Sequence, residues 1–255
     1  MGDTATGRRE RIVELIREHR HVRNSDLSDS LGVSIVTIRQ DIEALEGLGL
    51  VRKTYGGAIL HTDARLDSAF AARSKLCRAE KQRIGAAAAR LVGAAETVIL
   101  DAGTTTIEIA KRLPENADVT VVTCALNVAI EAGTRAGTTV IVCGGILNPW
   151  TLSVVGHQVD GVLAEFNAHR LFLATYGVDL TKGLTDRNVA SAQTKRALIG
   201  AAREVVLVCD SSKVGEVAPI TVAPLSVVHR VVTDAGAPAP FVDGLRRAGV
   251  VVDLV

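Results

Sequence analysis

Aromatic residues are scarce in this sequence of 255 residues, of which only 3% are Phe, Trp or Tyr. A core must therefore consist mainly of Val, Leu, Ile and Ala, and the hydrophobic fraction of 47% is sufficient for one. Long apolar runs are also missing, since none approaches the roughly 20 residues of a bilayer-spanning helix. The first ten residues contain no apolar run, so no signal peptide is predicted. These absences favour a soluble globular protein with no membrane partner.

Cysteine occurs at four widely separated positions, and no C-x-x-C pair is present. Cys124, Cys143 and Cys209 lie in apolar, strand-like runs, where cysteine usually behaves as a small buried hydrophobe, whereas Cys77 does not. This spacing predicts neither a disulfide nor a metal site, and we expect a reducing, cytoplasmic setting and no cofactor. The net charge of +1 does not indicate a polyanionic partner, so any DNA binding must depend on local placement of charge.

The N-terminal segment has the pattern of amphipathic helices. Its apolar residues recur at the three- and four-residue spacing of a buried helix face, in three sets: Ile12, Leu15 and Ile16; Leu27 and Leu31; and Ile38, Ile42 and Leu45. Gly32 lies at the turn between the second and third helices, and residues 50–60 have the pattern of a short hairpin. Three helices followed by a hairpin predict a winged helix-turn-helix.

The third predicted helix has an outward face suited to a DNA major groove. With Ile38 facing inward, Val36 and Gln40 face outward, where they can contact a thymine methyl and an adenine edge. Arg52 and Lys53 on the hairpin are suited to phosphates, which position a protein without specifying sequence. The candidate DNA-binding residues are Ser34, Val36, Thr37, Arg39, Gln40, Arg52, Lys53 and Tyr55. The alternative is a merely solvated helical domain, because residues 1–60 carry equal numbers of basic and acidic residues.

From residue 79 onward, strand-like and helical runs alternate, which predicts an α/β fold with a mostly parallel sheet. The predicted strands are Thr97–Leu100, Val119–Thr123, Thr139–Cys143, Leu171–Ala174, Val205–Cys209 and Val228–Thr233. We therefore expect a winged helix-turn-helix at 1–60, a linker at 61–78 and an α/β sensing domain at 79–255.

Polar loops follow four of these strands: a first loop (100–106), a second (143–156), a third (174–185) and a fourth (209–213). In a parallel sheet they gather at one edge, where open α/β folds bind ligands. They offer glycines for close approach, hydroxyls for sugar oxygens and Lys213 for a phosphate. The first loop lacks the Gly-Lys-Ser/Thr of a nucleotide-hydrolysing P-loop. The candidate effector-binding residues are Asp101, Gly103, Thr104, Thr105, Thr106, Gly144, Gly145, Tyr176, Gly177, Asp210, Ser212 and Lys213.

The N-terminal segment closely resembles the DeoR family of bacterial regulators. Residues 33–42 read V-S-I-V-T-I-R-Q-D-I, against the family's V-S-x-x-T-I-R-R-D-L, and residues 54–58 read T-Y-G-G-A, where the family's wing ends in H-G-G-A. Gln40 replaces an arginine and Tyr55 replaces a histidine. The first change removes a cation from the recognition helix, which implies lower phosphate affinity or another base preference.

The sensing half resembles the same family through L-D-A-G-T-T-T at 100–106 and D-S-S-K at 210–213. This resemblance implies a fold similar to ribose-5-phosphate isomerases and CoA transferases, and a phosphorylated sugar as the effector. Residues 191–196 read S-A-Q-T-K-R, where the family commonly has E-A-x-V-K-R, so Ser191 lacks a carboxylate. Thr123 is followed by Cys124, where the family commonly has Asn.

We therefore expect a transcription regulator, in particular a repressor of a sugar-metabolism operon, with double-stranded DNA and a phosphorylated sugar as partners and a homo-oligomeric state. One alternative is a phosphosugar isomerase attached to a DNA-binding domain, with Asp101 or Asp210 as the base. We expect no enzymatic activity and assign no catalytic residue, because no second acid or base accompanies these residues at a recognisable spacing. Another alternative is a C-terminal domain that only oligomerises.

Overall fold

The computed structural model describes residues 5–19, 21–47, 50–60, 70, 73–148 and 151–255. The chain divides into two compact units, Met1–Leu76 and Cys77–Val255. Residues 61–69 and 71–72 of the expected linker, and residues 149–150 of the second loop, lie outside the described residues.

The first unit combines helices with a small antiparallel sheet. Its elements are α1 (Ala5–His19), β1 (His21–Arg23), α2 (Asn24–Leu31), α3 (Ile35–Gly47), β2 (Val51–Thr54) and β3 (Gly57–Leu60). The strand order is β1-β3-β2. β2 and β3 form the predicted hairpin. β1 was not predicted, because three residues are too few to show a strand period.

The predicted apolar faces of α1, α2 and α3 form the core of this unit. Ile12, Ile16, Leu27, Ile38, Ile42 and Leu45 are all almost completely buried. Gly32 ends α2 in the left-handed conformation (φ 64°), which favours glycine because a side chain is strained there. The three-helix arrangement and its turn are thus confirmed.

The second unit is built on a seven-stranded sheet in which every neighbouring pair is parallel. The strand order is β15-β14-β12-β9-β4-β5-β6. The bounds of these strands are β4 (Thr97–Leu100), β5 (Val119–Thr123), β6 (Thr138–Val142), β9 (Ala168–Leu173), β12 (Ala202–Val208), β14 (Arg230–Thr233) and β15 (Val251–Leu254). The predicted parallel α/β fold is confirmed.

Helices cover both faces of the sheet. They are α4 (Arg78–Ala89), α5 (Thr106–Ala110), α6 (Leu126–Gly133), α7 (His157–Leu163), α8 (Val189–Gly200) and α9 (Ala239–Arg247). Side chains of α4, α5 and α6 share one hydrophobic cluster with Val98 and Leu100, and those of α7, α8 and α9 share another with Ile99. In the described part of the chain, no helix is both long and apolar enough to cross a membrane.

Two central strands begin earlier than their apolar runs suggested. β9 begins at Ala168 and β12 at Ala202, three residues ahead of the predicted starts. The added segments contain charged residues, which hid the strand pattern. Their charges are compensated across the sheet, since Arg170 Nε lies 2.7 Å from Glu204 and its Nη1 lies 2.9 Å from Glu96.

Two of the predicted loops contain strands of their own, which corrects the sequence interpretation. The second loop forms an antiparallel hairpin of β7 (Ile146–Asn148) and β8 (Ser153–Val155). The third loop contains β10 (Gly177–Asp179) and the start of β11 (Gly183–Asp186). β11 also pairs with β13 (Ile220–Ala223), which completes a second antiparallel sheet. Three or four residues are too few for their period to be distinguished from a polar loop.

The strand order places the four loops along one edge of the large sheet. The loops after β12, β9 and β4 lie side by side, and the loop after β6 follows beyond β5. The chain runs outward from β4 through β5 and β6, and then returns to the other side of β4 with β9. In open α/β sheets such a reversal places a ligand-binding crevice beyond the carboxyl ends of the two strands concerned, which here are β4 and β9.

Candidate DNA-binding surface and effector site

Helix α3 presents the predicted outward residues to solvent. Val36 is 63% exposed, and Arg39 and Gln40 are also exposed, whereas Ile38 between them is fully buried. The backbone N–H of Thr37 donates to Ser34 Oγ at 3.1 Å, and the two hydroxyl oxygens are 2.9 Å apart. Ser34 therefore caps the helix.

A buried carboxylate, missed by the sequence analysis, joins α3 to α1. Asp41 is 1% exposed and accepts hydrogen bonds from Arg8 Nε at 2.5 Å and Arg9 Nε at 2.8 Å. Removing either partner of such a buried pair is costly, because the remaining charge stays buried. The two salt bridges therefore hold α3 in position against α1.

The two wing cations are in different environments. Arg52 is exposed, whereas Lys53 Nζ lies 2.9 Å from Glu43 and 3.4 Å from Glu46. The hydrogen bond with Glu43 raises the pKa of Lys53, so its ammonium group is held by acidic neighbours of the same unit. Tyr55 lies at the hairpin tip with its side chain fully exposed.

In the second unit, Asp101 directly follows β4 and is 3% exposed. One oxygen accepts the N–H of Ala102 at 2.7 Å, and the other accepts the N–H of Ala174 at 3.1 Å. Lys195 of α8 donates to the same carboxylate and to the Ala174 carbonyl at 2.7 Å. Burial raises the pKa of Asp101, although Lys195 acts in the opposite direction. The arrangement joins the first loop, the third loop and α8.

The threonine run of the first loop divides into buried and accessible parts. Thr105 and Thr106 are buried, and Thr106 Oγ1 donates to the Gly103 carbonyl at 3.1 Å, whereas Thr104 is partly exposed. A Cβ on Gly103 would lie 3.0 Å from that of Ala174, so this glycine permits close packing of the first and third loops. α5 is a single short turn, so its dipole offers an anion less than the sequence suggested.

A cationic and aromatic cluster connects the third and fourth loops. The Arg187 guanidinium lies 3.9 Å from the centroid of the Tyr176 ring, and Lys213 Nζ lies 5.5 Å from it. Both distances are within the range of cation–π attraction. Arg187 was missed, because a lone arginine after a short strand gives no sequence signal. We call these three residues the Tyr176 cluster.

The aspartate of the fourth loop forms hydrogen bonds within its own turn. Asp210 accepts the N–H of Ser212 at 3.2 Å and its hydroxyl as well. Lys81 of α4, which is 4% exposed, lies 4.0 Å from the same carboxylate. Lys81 and Lys195 are thus two buried cations that were absent from the predicted site.

The glycines of the second and third loops have structural roles. A Cβ on Gly177 would lie 2.2 Å from the Glu216 carbonyl oxygen, and one on Gly145 would lie 2.7 Å from that of Val155. Gly144, by contrast, is exposed with open space around it. Gly144 and Gly145 follow β6, two strands from β4, so the structure places them farther along the edge than the other predicted residues.

The departure at Ser191 also has a structural explanation. Its hydroxyl donates to Asp186 at 3.0 Å, and its backbone N–H donates to Asn188 Oδ1 at 2.9 Å. A carboxylate at this position would face Asp186. The serine therefore matches its neighbour, and it lies at the start of the helix that carries Lys195.

This chain combines a winged helix-turn-helix with a parallel α/β domain whose carboxyl edge is polar. The combination is typical of DNA-binding transcription regulators that respond to a ligand. Residues 8–64 match the model of the DeoR-like helix-turn-helix domain, and residues 77–235 match that of the DeoR C terminal sensor domain. The chain belongs to the DeoR family of transcription regulators.

Relatives over nearly the full chain agree with this assignment. The chain is 34% identical to an Escherichia coli O157:H7 protein named for repression of the aga operon, over 97% of this chain and 93% of that one. It is 32% identical to the transcriptional regulator GlpR of Haloferax volcanii, over 96% of each chain. It is 30% identical to the transcriptional repressor GlcR of Bacillus subtilis, over 94% of this chain and 92% of the other.

Solved structures share only a distant likeness. Ribose 5-phosphate isomerase A of Methanocaldococcus jannaschii superposes with a TM-score of 0.41 at 16% identity, covering 54% of this chain and 55% of the enzyme. A sor operon regulator of Shigella flexneri superposes with a TM-score of 0.42 at 10% identity, covering 62% and 86%. These likenesses are too distant to bear on function.

Proposed function

We propose that this protein represses a sugar-metabolism operon through residues 1–60 and releases its operator when a phosphorylated sugar binds to residues 79–255. The relatives named for repression and for operons such as aga support the first part. The single observation that carries the second part is the Tyr176 cluster, in which two cations lie against one aromatic ring of the loop that follows β9.

The proposed phosphate position lies between the first and fourth loops. Lys213 and Arg187 supply charge, and the partly exposed Thr104 supplies a hydroxyl. Tyr176 offers an aromatic face to the sugar ring, and Ser212 lies next to Lys213. A hydrogen bond to a charged group is worth about 1.5–3 kcal/mol. One cation can therefore change the affinity for a phosphate ester by about ten- to a hundredfold.

We further propose that the ligand is bound without being converted. An isomerase needs a carboxylate or imidazole that can take a proton from the substrate. Asp101 is engaged by Lys195 and two backbone N–H groups, and Asp210 is engaged by Ser212 beside Lys81. Carboxylates held in this way are suited to holding loops in place.

On the DNA side, we propose that the full chain binds as a homo-oligomer on paired half-sites, with α3 in each major groove. Val36 and Gln40 would read bases, and Ser34, Thr37 and Arg39 would lie at the groove walls. Arg52, Lys53 and Tyr55 of the wing would contact the backbone. Sedimentation of the full chain with and without an operator duplex tests this: a single copy on a paired site would contradict it.

The ligand proposal is tested by thermal denaturation with a panel of phosphorylated sugars and their unphosphorylated parents. An effector at about 100 times its Kd should stabilise the fold by about 2.7 kcal/mol. The same ester should release the full chain from an operator duplex, and its parent sugar should do neither. Equal binding of the parent would reject the phosphate position. Conversion of the ester to an isomer at enzymic rates would reject binding without turnover.

Lys213→Ala, with Lys182→Ala as its matched control, tests the position of the phosphate. Lys182 is an exposed lysine of the third loop outside the Tyr176 cluster. Lys213→Ala should weaken the response to the ester by about ten- to a hundredfold. Its operator affinity in the absence of ligand should be unchanged, and Lys182→Ala should behave as the natural protein. Equal losses in both variants would indicate general electrostatics instead of a site.

A further inference from the structure

Two cysteines face each other at the carboxyl edge of the large sheet. The last residues of β5 and β6, Thr123 and Val142, are paired in register, so Cys124 and Cys143 follow at matching positions. The N–H of Cys143 donates to the Thr123 carbonyl at 3.0 Å, which continues the ladder by one residue. Both side chains are 1% exposed and belong to the same hydrophobic cluster, so they lie on the same face of the sheet.

The distance between such positions suits a disulfide. Neighbouring strands are about 4.7–4.9 Å apart, and disulfides join Cα atoms that are about 4.4–6.8 Å apart. The two thiols are close enough that each influences the pKa of the other. This contact raises the pKa of Cys124 and lowers that of Cys143, so Cys143 is the better nucleophile.

The pair is attached to the second loop and its hairpin. Cys143 directly precedes Gly144, which is exposed with open space around it and can absorb a change of backbone. The Cys124 carbonyl accepts the N–H of Val154 at 2.7 Å, which ties it to β8 of the hairpin. By contrast, Cys209 follows β12, which is separated from β5 by β9 and β4. The sequence predicts no disulfide here, because the four cysteines are far apart in the chain and these two, nineteen positions apart, lie in separate apolar runs.

We propose that Cys124 and Cys143 are an oxidation site that forms a reversible disulfide when a hydroperoxide reaches the carboxyl edge. The Cys143 thiolate attacks the peroxide, the O–O bond breaks, and a sulfenic acid and hydroxide form. The Cys124 thiol then attacks the Cys143 sulfur, and the S–O bond breaks. The released hydroxide ions take up the two thiol protons. Two thiols and one hydrogen peroxide thus give one disulfide and two waters.

The bond would fix the loop after β6 to the loop after β5, and with it Gly144, Gly145 and the β7–β8 hairpin. A crosslink that closes a loop of this length stabilises a fold by restricting the unfolded chain. Its effect on ligand binding rests on the proposed function, whereas formation of the bond does not.

The test oxidises the full-length native protein with hydrogen peroxide, blocks remaining thiols in denaturant, and digests the product with trypsin. Arg135 lies between the two cysteines, so cleavage there separates their peptides unless a disulfide joins them. We expect the joined pair in the natural protein and in Cys209→Ala, which removes a buried cysteine of the same cluster. It should be absent in Cys124→Ala and Cys143→Ala. Four blocked thiols in the treated natural protein, or a pair that includes Cys209, would overturn the proposal.

A second measurement in the natural protein uses no variant. Oxidation should raise the melting temperature by several degrees, and a dithiol reductant should reverse the rise. No rise despite a mapped Cys124–Cys143 bond would overturn the inference that the bond fits the native fold. An oxidised protein whose response to phosphorylated sugars matches the reduced protein would keep the oxidation site and reject Gly144 and Gly145 as effector contacts.

Discussion

The ammonium group of Lys195 lies against the carboxylate of Asp101, 94 positions earlier in the chain. Both side chains are almost completely buried, and Lys195 also donates to the Ala174 carbonyl. This relationship joins α8 to the carboxyl ends of β4 and β9. It therefore couples the position of a helix to the edge where we propose that the effector binds.

Replacing Lys195 with methionine should destabilise the protein by about 3–5 kcal/mol at neutral or higher pH, because Asp101 would remain as a buried, unpaired charge. Loss of the cation raises the pKa of Asp101 further. A carboxyl whose folded-state pKa is raised destabilises the fold most at high pH. This penalty shrinks as the pH falls below the folded-state pKa and is gone below the unfolded-state pKa. Urea denaturation should therefore show a smaller deficit at about pH 5 than at about pH 8. The double variant Asp101→Asn, Lys195→Met should lose that dependence, and equal deficits at both pH values would contradict the assignment.

Arg52→Ala should weaken binding by a similar factor on all DNA sequences and reduce the salt slope of the affinity by about one. Lys53→Ala should have a smaller effect, because Glu43 and Glu46 already compensate its charge in the free protein. Arg83→Ala, which removes an exposed charge from α4, is the control. Fluorescence anisotropy at several salt concentrations gives these slopes. A change in base preference in either wing variant would show that the wing reads bases.

Gln40→Arg should raise affinity for unrelated DNA and shift the preferred site toward guanine, because arginine forms a bidentate pair with guanine, whereas glutamine pairs with adenine. Gln158→Arg adds the same charge at an exposed position on α7, outside the DNA-binding unit. Selection of bound sites from a random duplex pool measures the preference of both variants. An unchanged site in Gln40→Arg, or the same shift in Gln158→Arg, would remove Gln40 from the reading surface.

Gly85→Ala should destabilise the second unit by about 1–3 kcal/mol, because an added Cβ would lie 2.5 Å from the Glu108 Cβ and 2.7 Å from its backbone carbon. Gly161→Ala makes the same substitution inside α7, where nothing lies within 4 Å of the added atom. It should stabilise the protein by about 0.5–1 kcal/mol, since alanine favours a helix over glycine. Urea denaturation of both variants measures these changes in the free energy of unfolding. Equal effects would mean that the close packing of α4 on α5 is relieved at little cost.

The sequence predicted those parts of the fold in which a period extends over several residues. The buried faces of α1 and α3, and β4 and β5, follow their apolar patterns because burial alone decides them. The starts of β9 and β12 could not be predicted, because the charged residues Arg170 and Glu204 are typical of loops. Their ion pair, which makes them compatible with strands, forms only in the folded sheet. The hairpin of β7 and β8 is too short to have a period.

Residues of the candidate site could be predicted only where a polar side chain lies in the loop that follows a predicted strand. Asp101, Thr104 and Lys213 could be named for that reason. Lys195, Lys81 and Arg187 reach the same edge from helices or from a distant loop, and their pairing depends on tertiary distances. Asp41 belonged to a recognised motif, but its partners Arg8 and Arg9 lie more than thirty positions away.

The central strand β4 has one neighbour nearby in the chain and another, β9, about 70 residues later, as the Thr97–His169 contact 72 positions apart illustrates. Pairings over such separations are slow to form, and chains emerge from the ribosome from their N-terminus. The winged helix-turn-helix, by contrast, completes its own sheet within the first 60 residues. During synthesis, the winged helix-turn-helix can therefore be complete before the parallel sheet of the sensing domain has formed. A transcript cut short ahead of β9 would therefore encode a complete helix-turn-helix without the central strand pair of the sensing domain.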